Sequence, residues 1–172
     1  SEMCIRDRGM TYSFESPKVF DKLLLPKDAP ERQAIQISNP LGEDYSIMRT
    51  ISLNGMLTSL ATNYNRRNKD VRLYELGNIY LPKSLPLTEL PEERMQFTLG
   101  MYGEGDFFSM KGVVEEFFEK IGMRKKEQYD PNAGKSFLHP GRQANIVYEG
   151  TVVGYLGAVS YTHLRAHETG AY

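Results

Sequence analysis

The chain has 172 residues, 40% of them hydrophobic, and a formal charge of −1, enough apolar content for one domain with a substantial core. That balance excludes a strong global attraction to nucleic acid or to an anionic membrane, and no run approaches the roughly 20 apolar residues that span a bilayer. A single cysteine, Cys4, excludes an internal disulfide framework and fits a reducing compartment, so a cytoplasmic location is expected.

In chain order, Thr11 to Phe14 reads as a short strand, and Ser16-Pro17 as a helix start, with a helix through Phe20 and Leu23. The proline-bearing stretch "LPKDAPERQ" is a connection. Ala34 to Ser38 alternates as a strand would, and "NPLGED" turns the chain. Next, Leu53, Met56, Leu57, Leu60, Ala61 and Tyr64 recur at helical spacing and predict a long amphipathic helix. Ser52 is the expected cap, although Asn54 and Gly55 are weak helix formers at its first turn.

Arg66, Arg67 and Lys69 end that helix, where cations complement the dipole. Val71 to Tyr80 follows as a strand, with Val71, Leu73 and Ile79 on one face and Tyr74, Leu76 and Tyr80 on the other, so cover on both faces is expected. Pro82 stops it, because proline has no N–H to give to a ladder. Residues 82–94, with three prolines, predict an exposed loop before a second strand from Gln96 to Tyr102.

Asp106 is placed to cap a helix whose apolar stripe is Met110, Val113, Val114, Phe117, Phe118 and Ile121, and Gly122 supplies the stop. Glu115, Glu116 and Glu119 lie on its polar side and read as a solvent-facing surface without acid–base work. A polar stretch from Arg124 to Lys135 precedes a hairpin in which Ala144, Ile146 and Tyr148 alternate, Glu149-Gly150 turns, and Val152 to Val159 returns. The sum is an α+β domain on a mainly antiparallel sheet flanked by helices. Residues 1–9 and 160–172 continue no neighbouring periodicity and resemble translated sequencing-adapter sequence. They are set aside as non-native extensions around a domain of residues 10–159.

Candidate chemistry is sparse. "NAGKS" at Asn132 to Ser136 suggests a phosphate loop, but Tyr129 stands where the motif needs glycine, and "FLHPG" cannot open the helix that must follow. His163 and His167 have the i, i+4 spacing of a metal pair without the intervening glutamate. His139, in a His-Pro-Gly run, reads as a structural or exposed histidine. No catalytic, cofactor-binding or metal-ligating residue is therefore assigned. Arg66, Arg67, Lys69 and Arg72 form the densest basic cluster, with Tyr64 and Tyr74 nearby. They can be read as RNA-phosphate contacts or, more simply, as a solvated helix end.

Several ordered blocks resemble the beta subunits of bacterial phenylalanyl-tRNA synthetases: "TYSF" (11–14), "ISNPLGEDYSIMRT" (37–50), "NRRNKDVRLYELGNIY" (65–80), "DFFSMKGVVEEFF" (106–118) and "LHPGRQANI…GYLG" (138–157). The resemblance covers about residues 10–159. It implies a fold similar to a class II aminoacyl-tRNA synthetase catalytic domain, a partner alpha subunit in an (αβ)2 assembly, and phenylalanine attachment to its tRNA with ATP and magnesium. No cofactor is implied for this segment itself.

In active class II domains an arginine just after the first strand of the motif 2 hairpin holds ATP phosphate and aminoacyl carboxylate with a fork of donors. Here that strand runs into Leu81 and Pro82, and the paired strand is the largely apolar or small "QFTLGMYG". The resemblance therefore implies a catalytic-like core without catalysis. "ISLNG" (51–55) departs from the family's more usual serine-leucine-leucine-proline-glycine run, so a local difference at the helix start is expected.

Overall fold

The computed structural model describes residues 7–123 and 126–159. Cys4, His163, His167, Arg124 and Lys125 lie outside the described residues, as do the proposed extensions apart from 7–9.

Among the described residues the strands form three small sheets. One is ordered β1 (Asp7–Arg8), β4 (Val71–Leu81), β5 (Glu92–Tyr102). A second pairs β2 (Phe14–Glu15) with β3 (Ile47–Met48), and the third is ordered β6 (Glu127–Asp130), β7 (Leu138–Tyr148), β8 (Thr151–Val159). Helices α1 (Val19–Lys22), α2 (Leu53–Asn65) and α3 (Phe107–Lys120) pack between and over them. Pairing is antiparallel except that β1 adds in parallel to β4, matching Asp7 with Leu73. The mainly antiparallel α+β expectation holds.

The β4–β5 hairpin sets the frame. Eleven consecutive pairs run from Val71↔Tyr102 to Leu81↔Glu92, so partners on the two strands share a face. The side carrying Leu73, Glu75, Gly77 and Ile79 faces α2, whose Met56 and Leu60 lie against Gly100. On the opposite side Tyr74, Phe97 and Phe117 of α3 make an aromatic row, with Phe97 stacked on Phe117 at 4.5 Å. Cover on both faces is thus real at this end of the hairpin, but Leu76, the cross-strand partner of Phe97, and Met95 beyond it stay exposed.

Two cores result. Val19, Phe20, Leu23, Ile47, Ile51, Leu57, Phe137 and Leu138 join α1, β3, the start of α2 and the start of β7. Val114 and Phe118 of α3 meet Ala144, Ile146 and Leu156 of the third sheet. Asp106 caps α3 as expected: its carboxylate accepts from Ser109 N at 2.9 Å while Ser109 Oγ accepts from Asp106 N. Gly122 and the Glu149-Gly150 turn have the positive φ that a helix stop and a tight hairpin require.

Several boundaries differ from the sequence reading. Ala34 to Ser38 is no strand but a single bridge, Gln36 to Ile47, because β3, which it flanks on the edge opposite β2, is only two residues long. The strand expected at Thr11–Phe14 starts at Phe14, since Thr11 is drawn to a carboxylate on β4. The polar stretch after α3 contains β6, and β5 begins at Glu92, so the loop is shorter than expected.

Candidate functional site

The basic cluster was the one set of site candidates visible in the sequence, and it divides. Arg66 follows the last turn of α2, and Arg67 takes a left-handed backbone (φ 61°), its N–H donating to Tyr64 O at 2.8 Å. Both are exposed, as is Lys69, and none of the three makes an ion pair among the described residues. Arg72 instead is partly buried: Nη2 donates to Glu104 O at 3.3 Å, and Nε lies 3.9 Å from Asp70 Oδ1. Tyr64 stays with the exposed cations, edge-on to Tyr102 at 5.7 Å. Tyr74 lies on the other side of the sheet beside Phe97, which follows from the period-2 alternation of β4. His139 is exposed; its Nδ1 accepts from Gly141 N at 3.1 Å and its carbonyl from Gln143 Nε2 at 3.4 Å.

The more elaborate constellation is one that the sequence reading missed. It lies where α2 begins, on the face of the hairpin that leads to Leu81. Arg49 and Glu75 are each about 3% exposed and pair through Nη1 and Oε1 at 3.0 Å. Arg49 also donates from Nε to Asn78 O at 2.7 Å and from Nη1 to Thr11 Oγ1 at 3.0 Å. Thr11 in turn donates from Oγ1 to Glu75 Oε2 at 2.8 Å and from its backbone N to Oε1 at 3.2 Å. A buried charge is tolerated only when it is paired and hydrogen-bonded, and both conditions are met.

Ser52 does not cap α2. Its own backbone is already helical (φ −86°, ψ −5°), so the hydroxyl cannot reach back to the first turn. It turns to the sheet, where Ser52 N and Oγ both donate to Gln96 Oε1, at 3.2 and 2.8 Å, and Oγ also meets Thr98 Oγ1. The two weak helix formers that follow have tertiary reasons. Asn54 donates to Glu15 Oε1 at 3.3 Å, and a side chain at Gly55 would overlap Thr11. Gly77 likewise leaves room for the Arg49 guanidinium, which a methyl group there would strike.

One signal could have pointed to this network. Glu75 shares a strand face with Val71, Leu73 and Ile79, and a carboxylate on an apolar face needs a cation; Arg49, in the apolar run "SIMRTIS", is the matching oddity.

The middle of this face is filled. Its polar groups, Glu75, Gln96 and Thr98, are engaged by Thr11, Arg49 and Ser52. At the open end Ile79 and Leu81 pair with Arg94 and Glu92, and those two charges bond each other at 2.6 Å. Among the described residues no group of His, Cys, Asp and Glu could hold a metal ion, and no helix is long and apolar enough to cross a membrane.

Similarity to known proteins gives the fold and the family. Solved structures of pyrrolysyl-tRNA synthetase from Desulfitobacterium hafniense match at TM-scores of 0.65 and 0.63, each at 14% identity. They cover 94% and 84% of this chain and 55% and 50% of theirs, which shows a class II synthetase-like fold. Phenylalanine–tRNA ligase beta subunits are 44% identical in Clostridium acetobutylicum and 42% in Clostridium tetani, each over 153 residues and 89% of this chain. That of Moorella thermoacetica is 37% identical over 167 residues and 92% of the chain. The chain spans about a fifth of the length of these relatives. The family profile described as "Phenylalanyl tRNA synthetase beta chain CLM domain" matches residues 8–170, and the chain therefore belongs to that family.

Proposed function

We propose that this domain is a non-catalytic core of the beta subunit of phenylalanine–tRNA ligase, supporting a catalytic alpha subunit in ATP-dependent attachment of phenylalanine to its tRNA. The observation that carries the reading is the filled middle of the hairpin face. Leu81 offers neither charge nor donor where an active class II domain has its arginine. Arg49, the guanidinium nearest that face's interior, is buried and committed to Glu75, Thr11 and Asn78.

These residues do not fit an ATP site. Nucleotide phosphates need free donors, and a magnesium ion needs free carboxylate oxygens, whereas Glu75 Oε1 accepts from Thr11 N and Arg49 Nη1 and Oε2 from Thr11 Oγ1. ATP and magnesium are accordingly expected of the holoenzyme rather than of this domain. Co-expression with that subunit and affinity capture tests the supporting role, with circular dichroism on the same sample to establish folding. Co-purification is expected; a folded chain that never co-purifies would count against it.

A second reading, direct contact with tRNA, is supported by the exposure of Arg66, Arg67 and Lys69 beside Tyr64. Arg72 is at most a peripheral member, being held by Glu104 and Asp70.

A further inference from the structure

Glu15 ends β2 and is only 6% exposed. Its Oε1 accepts one long hydrogen bond, 3.3 Å, from Asn54 of α2, and its Oε2 is buried without a hydrogen-bond partner among the described residues. The charged groups facing it are Arg49, following β3, and Glu75, on β4; α2 contributes the neutral Asn54. Arg49 is already spent on Glu75, Thr11 and Asn78. One guanidinium thus faces two buried carboxylates, and Glu75 holds it. An ionised Glu15 would be a buried charge without a direct partner, the arrangement that proteins avoid by neutralising the group.

We propose that Glu15 is a buried proton-binding site at the seam of β2 and the first turn of α2, a latch that stays shut while the protonated carboxyl can remain out of water and loosens when ionisation makes its burial costly. Burial pushes this carboxyl up to about 7; the Asn54 hydrogen bond and the Arg49 charge oppose the rise, and the Glu75 charge adds to it. The folded state therefore holds a proton that the unfolded chain releases above its ordinary glutamate value of about 4.3. The latch is fully stabilising, relative to an ionised Glu15, below that value. The advantage is lost as pH rises through about 7. The same proton sets whether the polar filling next to Arg49 carries one net negative charge or none.

Two measurements on the full chain decide the matter. In urea unfolding between about pH 5 and about pH 8, the wild type should lose roughly tenfold to a hundredfold in its folding constant relative to Glu15→Gln. Parallel curves would overturn the proposal. Carbon NMR of the chain labelled at glutamate carboxyls should show one resonance titrating near neutrality. If every glutamate titrates below about pH 5.5, Glu15 binds no proton there and the latch does not exist, whether or not the glutamine variant folds.

Discussion

Arg49 and Glu75, 26 residues apart in sequence, meet at 3.0 Å in a site nearly closed to solvent, each side chain no more than 4% exposed. The pair ties the segment before α2 to the middle of β4. Removing one member leaves the other charged and uncompensated. Arg49→Met or Glu75→Leu alone should cost about 3–5 kcal/mol, and the double replacement distinctly less than the sum. Urea unfolding of the three variants checks this; two cheap single replacements would mean that the pair is not buried as described.

The guanidinium needs the floor beneath it to stay empty. Gly77→Ala should push Arg49 off its partners and destabilise by about 1–3 kcal/mol. Gly154→Ala, where a methyl group would meet only Ile146 at ordinary contact distance, should stay within about 1 kcal/mol of wild type. Equal midpoints for the two variants would contradict the close approach.

The start of α3 gives a pH dependence of opposite sign to that of Glu15. Hydrogen bonds from the Ser109 backbone and hydroxyl hold the Asp106 carboxyl below its usual value. Its contribution is present above the unfolded aspartate value of about 3.9 and is lost as pH falls through the lower, folded one. Asp106→Ala should therefore flatten the acid limb of the unfolding midpoint against pH. An acid limb unchanged in the variant would remove the cap from the account.

If the exposed end of α2 touches tRNA, the contact is electrostatic and salt-dependent. Reversing Arg66 and Arg67 to glutamate should weaken phenylalanine tRNA binding at low salt and lower the log–log salt slope by about 2, with capture by the alpha subunit unaffected. Binding with an unchanged slope would leave the solvated-helix reading of these cations.

How much of this was legible in sequence follows from the range of each interaction. The spacing of Met56, Leu57, Leu60 and Ala61 and the alternation of Leu73 with Tyr74 are local signals, and α2 and β4 lie where those signals place them. The Asp106 cap and the Glu149-Gly150 turn are equally local. Ser52, Asn54 and Gly55 were misleading because their reasons are distant: Gln96 and Thr98, Glu15, and Thr11. A periodicity argument sees a poor helix start at these residues. The fold uses them as the seam between α2, β2 and the hairpin. The basic cluster divides for a different reason, since proximity in sequence concealed that Arg72 is turned toward Glu104 while Arg66 faces water.

The central claim is that the hairpin face ending at Leu81 performs no adenylate chemistry, and phenylalanine-dependent exchange of pyrophosphate into ATP tests it most directly. Measured on the purified, folded chain, exchange should not rise above a protein-free blank. Robust exchange that follows the chain through size-exclusion chromatography would contradict the account.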